Sequence, residues 1–479
     1  MQERLRTRDL AFLATESPST PMHNATLEIF DPKDSGFDCH ALSALIADRI
    51  AFVPRYRQLL QFVPGRLANP LWVDDPAFDL EFHVRRAALP QPGDEAELRE
   101  LVARIVARPL DRNRPLWEVY FIEGLENGQV AVLSKSHQIL VDGVETVDIG
   151  QVLLDVSPEP KLQFSDDWTP RSRPTGPALV AGAVADTVLH PTVAAATARS
   201  TAASLRRTTQ GYRDAVRGIA GAMAGRRPAR PSPVSAALSE QRRFVTVRTC
   251  LDDYRKVRRH HGGTVNDVIL ATVTGALRAY FSSRNEGLGD RRSLRAMVPM
   301  SVIDDELEAT SLGTQIAGHL VDLPIAEQSP VIRLHQVSYA FKAHRETGRA
   351  VAANRLAGIA GFAPTTFHAL GSRVAAEQVR KGFQLSVTNV PGPQFPLYAA
   401  GAQMKATYPV HPLLPGHAMV IGVTSYDGGV HYGITADRDA LPDIEIFGQC
   451  LVEALDELVE ASSSSRHRIP RGRKKGNQV

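Results

Sequence analysis

The chain has 479 residues, and 55 Lys and Arg against 52 Asp and Glu leave a formal charge of only +3, with 43% hydrophobic and 22% charged residues. That is a globular composition with room for two large domains or about three average ones, and it excludes collagen, coiled coil and wholesale disorder. Three scattered cysteines, Cys39, Cys250 and Cys450, are too few for a disulfide framework or a zinc knuckle, which points to a reducing compartment.

The opening MQERLRTRDLAFLATE is charged where a secretory leader is apolar, and no stretch reaches the ~20 apolar residues of a spanning helix, so a cytoplasmic protein is expected. Residues 39–52 and 94–107 each carry apolar positions at helical spacing. Residues 117–123 and 129–135 read as a strand pair around the tight-turn signal Asn127-Gly128, and the second strand runs into His137. From Pro158 to Pro233 the chain is rich in Ala, Arg, Thr and Pro, which reads as a helical connector broken near Pro191. Beyond Arg243 a second domain is expected. A helix at 251–260 stops at Gly262-Gly263, and Thr264 or Asn266 caps a longer one at 265–281. Strands are expected at 294–302, 315–323, 383–389, 418–425 and 430–435, with helices at 330–345 and 442–460.

The domain expectation is therefore 1–157, a connector over 158–240, a second domain over 241–461, and a disordered basic tail over 462–479. Charge is uneven: residues 199–243 sum to +8 and residues 466–479 to +6, leaving −11 for the rest. With Tyr212 and the adjoining Phe244 its only rings, the basic strip does not resemble a nucleic-acid surface; an anionic lipid surface or a plain solvated linker remain.

The richest constellation for chemistry is Ser136-His137-Gln138-Ile139-Leu140-Val141-Asp142-Gly143, at the end of an apolar strand. A histidine there can be aimed into a cleft as a base, with Asp142 orienting it and Gly143 permitting a turn; it can equally be a satisfied core histidine. No GxSxG elbow, HExxH helix, GxxxxGK[ST] loop or GxGxxG after a strand occurs, so the usual hydrolase, metalloprotease, NTPase and Rossmann readings fall away, and no metal site is expected. His260-His261 reads as a basic helix terminus.

Seven collinear segments resemble the bacterial wax ester synthase/acyl-CoA:diacylglycerol acyltransferases, within the CoA-dependent acyltransferase superfamily: FLATESPSTPMH, WVDDPAFDLEFHVRRAALPQPG, PLDRNRPLWEVYFIEGL, SHQILVDG, NDVILATVTGALRAY, LRAMVPMSV and SVTNVPGPQFPLYAAGAQM. The resemblance spans roughly residues 5–460. It implies an α/β fold of two sheet-and-helix domains facing each other across a tunnel. It also implies transfer of a long-chain acyl group from acyl-CoA to diacylglycerol or a fatty alcohol, with acyl-CoA as substrate and no cofactor. The family pattern is HHxxxDG, whose second histidine takes the proton from the acceptor alcohol. Here that position is Gln138, which cannot.

Two outcomes follow. Either His137, with Asp142, serves as base, as in the H-x4-D spacing of the glycerol-phosphate acyltransferases, or the chain is a non-catalytic acyl-CoA or lipid-binding relative. Transfer to another acceptor, such as an amine, is a third. Gln138 can hydrogen-bond the acceptor or the thioester. Asn266 of the ND motif lines the cleft or caps its helix, and Asn389 faces the acyl carbonyl or serves a structural turn. Pro115-Leu116-Trp117 reads as packing. The Arg-rich connector suggests peripheral attachment to the inner face of the membrane or to lipid droplets.

Overall fold

The computed structural model describes residues 3–5, 7–33, 35–66, 68–141, 149–159, 168–189, 232–284, 293–301, 316–346 and 382–464. The first half runs α1 (Thr7–Thr15), β1 (His23–Asp31), α2 (Cys39–Arg49), β2 (Gln58–Gln61), β3 (Leu71–Asp74), α3 (Leu80–His83), β4 (Val84–Ala88), α4 (Glu95–Val106), β5 (Trp117–Glu123), β6 (Val130–His137), α5 (Gln138–Val141), α6 (Ile149–Val152) and α7 (Gly176–Leu189). Local sequence explains the best-defined of these. Asp94 and Glu97 form a reciprocal capping box at the start of α4, whose Leu98, Val102 and Ile105 are buried. Asn127 and Gly128 both take positive φ (62° and 70°), the conformation that lets β5 turn tightly into β6.

The second half runs β7 (Arg242–Cys250), α8 (Leu251–His261), α9 (Val265–Ser283), β8 (Leu294–Ser301), β9 (Ile316–Leu323), α10 (Pro330–Glu346), β10 (Leu385–Pro391), β11 (Tyr398–Ala399), β12 (Ala402–Val410), β13 (Met419–Tyr426), β14 (Gly429–Asp437) and α11 (Ile444–Ser464). Thr264 caps α9 in a box with Asp267, so Asn266 is not the cap. His260 and His261 occupy the last turn of α8.

The strands make two six-stranded sheets, ordered β11-β12-β1-β6-β5-β4 and β7-β14-β13-β10-β8-β9. The first contains a crossing. β11 and β12 belong in sequence to the second half, yet β12 pairs antiparallel with β1, from Ala25 opposite Val410 to Asp31 opposite Gln403. In β12 alternate residues are buried and half-exposed, the signature of a strand lying with one face on a core. The second sheet packs against α8, α9, α10 and α11 over an apolar cluster that includes Tyr254, Leu277, Tyr432 and Phe447. The first sheet has a cluster on each face: Tyr56, Trp117, Phe121 and Ile139 on one, and Leu98, Val102, Leu133 and Tyr408 on the other.

Of the connector, α7 is described, and residues 190–231 lie outside the described residues, so the expected break near Pro191 does too. The expected tail begins inside α11, which extends through Ser464; residues 465–479 are likewise outside the described residues. No helix among the described residues is long and apolar enough to cross a membrane.

Candidate active site

Antiparallel partners share a face of a sheet, so pairing shows where the motif residues point. His137 lies opposite His23, while Ser136 lies opposite Asn24 on one side and Trp117 on the other. His23 and Lys135 both reach the C-terminal end of α4. The His23 Nε2 is 2.9 Å from the Val106 carbonyl, and the Lys135 ammonium donates to the carbonyls of Ile105 (3.2 Å) and Arg108 (2.6 Å). His137 therefore belongs to the α4 face, with a side chain only 1% exposed.

One nitrogen of that ring, Nδ1, is hydrogen-bonded to the protein, and the other, Nε2, is buried without a hydrogen-bond partner. The Ile139 N–H donates to Nδ1 (3.2 Å), which fixes the lone pair there and leaves the proton of the neutral ring on Nε2. Nε2 faces Glu16 Oε2 at 3.7 Å. The same carboxylate is clamped by Arg112, whose Nε donates at 3.0 Å, while Glu16 Oε1 accepts from the Met22 N–H at 3.3 Å. Burial alone raises the Glu16 pKa, but the pull of His137 and Arg112 outweighs it and brings the group down to about 2. Glu16 is thus ionised at neutral pH. The expectation that His137 takes a proton from an acceptor needs a lone pair directed at substrate, and in this arrangement neither nitrogen offers one.

The ladder continues one step beyond His137, with the Gln138 N–H donating to the Met22 carbonyl (3.0 Å). Gln138 opens α5, and its Oε1 is buried without a hydrogen-bond partner. The Tyr56 hydroxyl is 3.2 Å from Ser136 Oγ and accepts from the Ile149 N–H at 3.1 Å, while the Trp117 indole donates to the Tyr56 carbonyl at 2.7 Å. Trp117 is fully buried and stacks on His83 at 4.4 Å, so the PLW segment is packing, as expected. Asp142 and Gly143 lie outside the described residues.

Asn266 and Asn389, 123 residues apart, are brought together: the Asn389 amide donates to Asn266 Oδ1 at 3.0 Å. That contact lies within the second half. The residue beside Asn389 is linked to the first half through His411. The Thr388 hydroxyl is 2.7 Å from His411 Nε2, and His411 Nδ1 is 3.2 Å from Asn24 Oδ1. Sequence reasoning missed these three. The available signal was His411 itself, which follows the strand-like AQMKATYPV as His137 ends its own strand. Arg242 ties the same seam, donating to the Ser19 carbonyl of the first half and facing Asp437 at 3.4 Å. Among the described residues no group of three His, Cys, Asp or Glu is placed to hold a metal ion.

Comparison with known proteins accounts for this architecture. The wax ester synthase/diacylglycerol acyltransferase catalytic domain matches residues 5–269, and the WS/DGAT C-terminal domain matches residues 312–459. The probable diacylglycerol O-acyltransferase tgs1 of Mycobacterium tuberculosis is 30% identical over 472 residues, covering 98% of each chain. The probable diacylglycerol O-acyltransferase tgs3 of the same organism is 40% identical over 268 residues, 54% of this chain and 97% of its own. Among solved structures, the wax ester synthase/diacylglycerol acyltransferase from Marinobacter aquaeolei VT8 superposes with a TM-score of 0.68 at 27% identity, covering 96% of this chain and all of that one. By two matching domains and an end-to-end relative, this chain belongs to the wax ester synthase/diacylglycerol acyltransferase family.

Proposed function

We propose that the protein is an O-acyltransferase that moves a long-chain acyl group from acyl-CoA to diacylglycerol, giving triacylglycerol, or to a fatty alcohol, giving a wax ester. The end-to-end match to a probable diacylglycerol O-acyltransferase carries this reading. In it, acyl-CoA is a substrate rather than a resident cofactor, and the acyl chain and the acceptor meet in a passage between the two halves. The start of α5, directly after β6, contributes Gln138, whose unpartnered Oε1 and amide N–H can hydrogen-bond the acceptor hydroxyl and the thioester oxygen. His137, held by Glu16 and by the Ile139 N–H, positions the turn that presents Gln138; to act as the base itself it would first have to release Ile139. Asp142 and Gly143 are proposed to hold the same loop.

The test is a turnover assay with palmitoyl-CoA and a panel of acceptors: diacylglycerol, hexadecanol and a long-chain amine. Release of CoA thiol with formation of triacylglycerol or wax ester is expected, and an acylated amine alone would move the protein to a different acceptor class. A second reading, a non-catalytic acyl-CoA carrier, is favoured by one observation, the amide at position 138. Tight palmitoyl-CoA binding with no thiol release would establish it.

We further propose peripheral attachment to an anionic lipid surface or lipid droplet through the +8 segment at residues 199–243. Flotation with phosphatidylglycerol vesicles but not with phosphatidylcholine vesicles is the expected result; equal flotation removes the electrostatic attachment.

A further inference from the structure

If the acyl transfer proposed above takes place, a group must still accept the proton of the acceptor hydroxyl. Gln138 has no basic nitrogen, and the His137 lone pair, on Nδ1, accepts from the Ile139 N–H, which leaves Nε2 as an N–H facing Glu16.

A second imidazole meets the requirement. His411 follows β12 one step beyond the Ala25–Val410 pair, which puts it beside Asn24 and on the same sheet face as Asn24 and Ser136. From there it reaches across the seam to Thr388 on β10 of the other sheet. The backbone is shaped around the ring. A Cβ at Gly422, the residue paired with Thr388, would lie 2.8 Å from His411 Cδ2 and 2.7 Å from Pro409 Cγ, so the ring occupies space that only a glycine leaves open.

The hydrogen bonds define the ring's chemistry. Asn24 Oδ1 can only accept, so Nδ1 carries the proton, and the Nε2 lone pair accepts from the Thr388 hydroxyl. This is the spatial logic of a base held by an orienting amide and aimed at a hydroxyl. Burial lowers the His411 pKa to about 4, so the ring is neutral with its lone pair available at physiological pH. Yet His411, Asn24 and Thr388 are all partly accessible rather than sealed, and His411 lines a crevice shared by Pro21, His23 and Val106 of the first half and Thr435 of the second. On the first sheet only β1 lies between β12 and β6, so His411 and Gln138 follow strands two places apart at the same end.

We propose that His411 is the base of acyl transfer in this chain, oriented by Asn24, with Thr388 marking the place of the acceptor hydroxyl. The acceptor hydroxyl replaces that of Thr388 as donor to Nε2. Its proton moves to Nε2 as its oxygen bonds the thioester carbonyl carbon. The C–S bond then breaks, and the CoA thiolate takes the proton from Nε2 and leaves as free thiol. In between, Asn24 Oδ1 stabilises the imidazolium through Nδ1–H.

The experiment compares CoA-thiol release from palmitoyl-CoA and diacylglycerol by the full chain, by His411→Gln and by His411→Ala. Gln keeps an amide for hydrogen bonding across the seam but takes no proton, so a merely structural histidine would tolerate it. The expected result is a folded His411→Gln protein, shown by an unchanged circular dichroism spectrum, with kcat lower by about 10²–10⁴-fold and little change in the palmitoyl-CoA KM. In His411→Ala, added imidazole should restore part of the rate. A wild-type rate in His411→Gln, or His411→Ala that stays silent in imidazole, overturns the assignment while leaving the acyltransferase intact. A wild-type chain that releases no thiol with any acceptor removes the acyltransferase reading instead, and the base with it.

Discussion

Two strands, β6 and β12, flank β1, and each leads into a histidine at the same end of the sheet. His137 closes β6 and stays within the first half, fixed on one side by the ionised Glu16 and on the other by the Ile139 N–H. His411 follows β12 and is held by two neutral side chains, one from each half. The first arrangement uses up the ring's lone pair on the backbone. The second leaves it facing a hydroxyl that substrate can replace. Residue type and place in a strand therefore do not separate a positioning histidine from a reactive one; the partner of each nitrogen does.

The contrast can be broken most strongly at His137. His137→Ala leaves the Ile139 N–H without its acceptor and opens space beside a buried carboxylate, so a loss of about 3 kcal/mol is expected in denaturant unfolding. The folded fraction should turn over faster than His411→Gln. If His137→Ala is as stable as the parent and silent in thiol release, the two roles are reversed.

Acid probes the same clamp. Glu16 has its ordinary pKa of 4.5 in the unfolded chain and about 2 in the folded one, so its contribution is complete above pH 4.5 and is lost as pH falls from there toward 2. A two-and-a-half-unit difference corresponds to about 3 kcal/mol at full extent, less whatever neighbouring groups absorb. Glu16→Gln should flatten the stability profile across that window, and an unchanged profile would show that the carboxylate is not held by the fold.

The smallest expected effect sharpens the other side. Gly422→Ala pushes a methyl group against Pro409 and the His411 ring, with an overpacking cost of about 1–3 kcal/mol. Displacement of the ring should lower kcat by about tenfold. A wild-type rate in this variant would mean that the ring's placement does not govern turnover.

Much of this was legible in the sequence, and the rest failed for identifiable reasons. The β5–β6 turn was readable because Asn127-Gly128 supplies positive φ locally, and the start of α9 because Thr264 and Asp267 make their bonds within one turn. The family resemblance also identified the activity class before any coordinate. β12 was not among the expected strands, and Pro409 obscures it. Proline is tolerated there because β11 pairs only as far as Gln403, so that among the described residues no strand pairs with the outer edge of β12 near Pro409. Which sheet a strand joins is also not written in its own residues. The same limit hid the Asn24–His411–Thr388 group, whose members come from β1, β10 and the turn after β12, with 387 residues between the first pair. His137 was found by motif, but Glu16, which faces its Nε2, follows α1 far away in the sequence, so that pairing was invisible.

The strand that the second half lends to the first sets the order in which the molecule can be finished. β1 leaves the ribosome early, and its outer edge has no neighbour until residues 402–410 have been made. Nascent chains therefore carry a bare sheet margin through most of synthesis, the kind of edge that recruits foreign strands. β1 is made well before its partner β12, and their pairing brings Asn24 and His411 together in the same event.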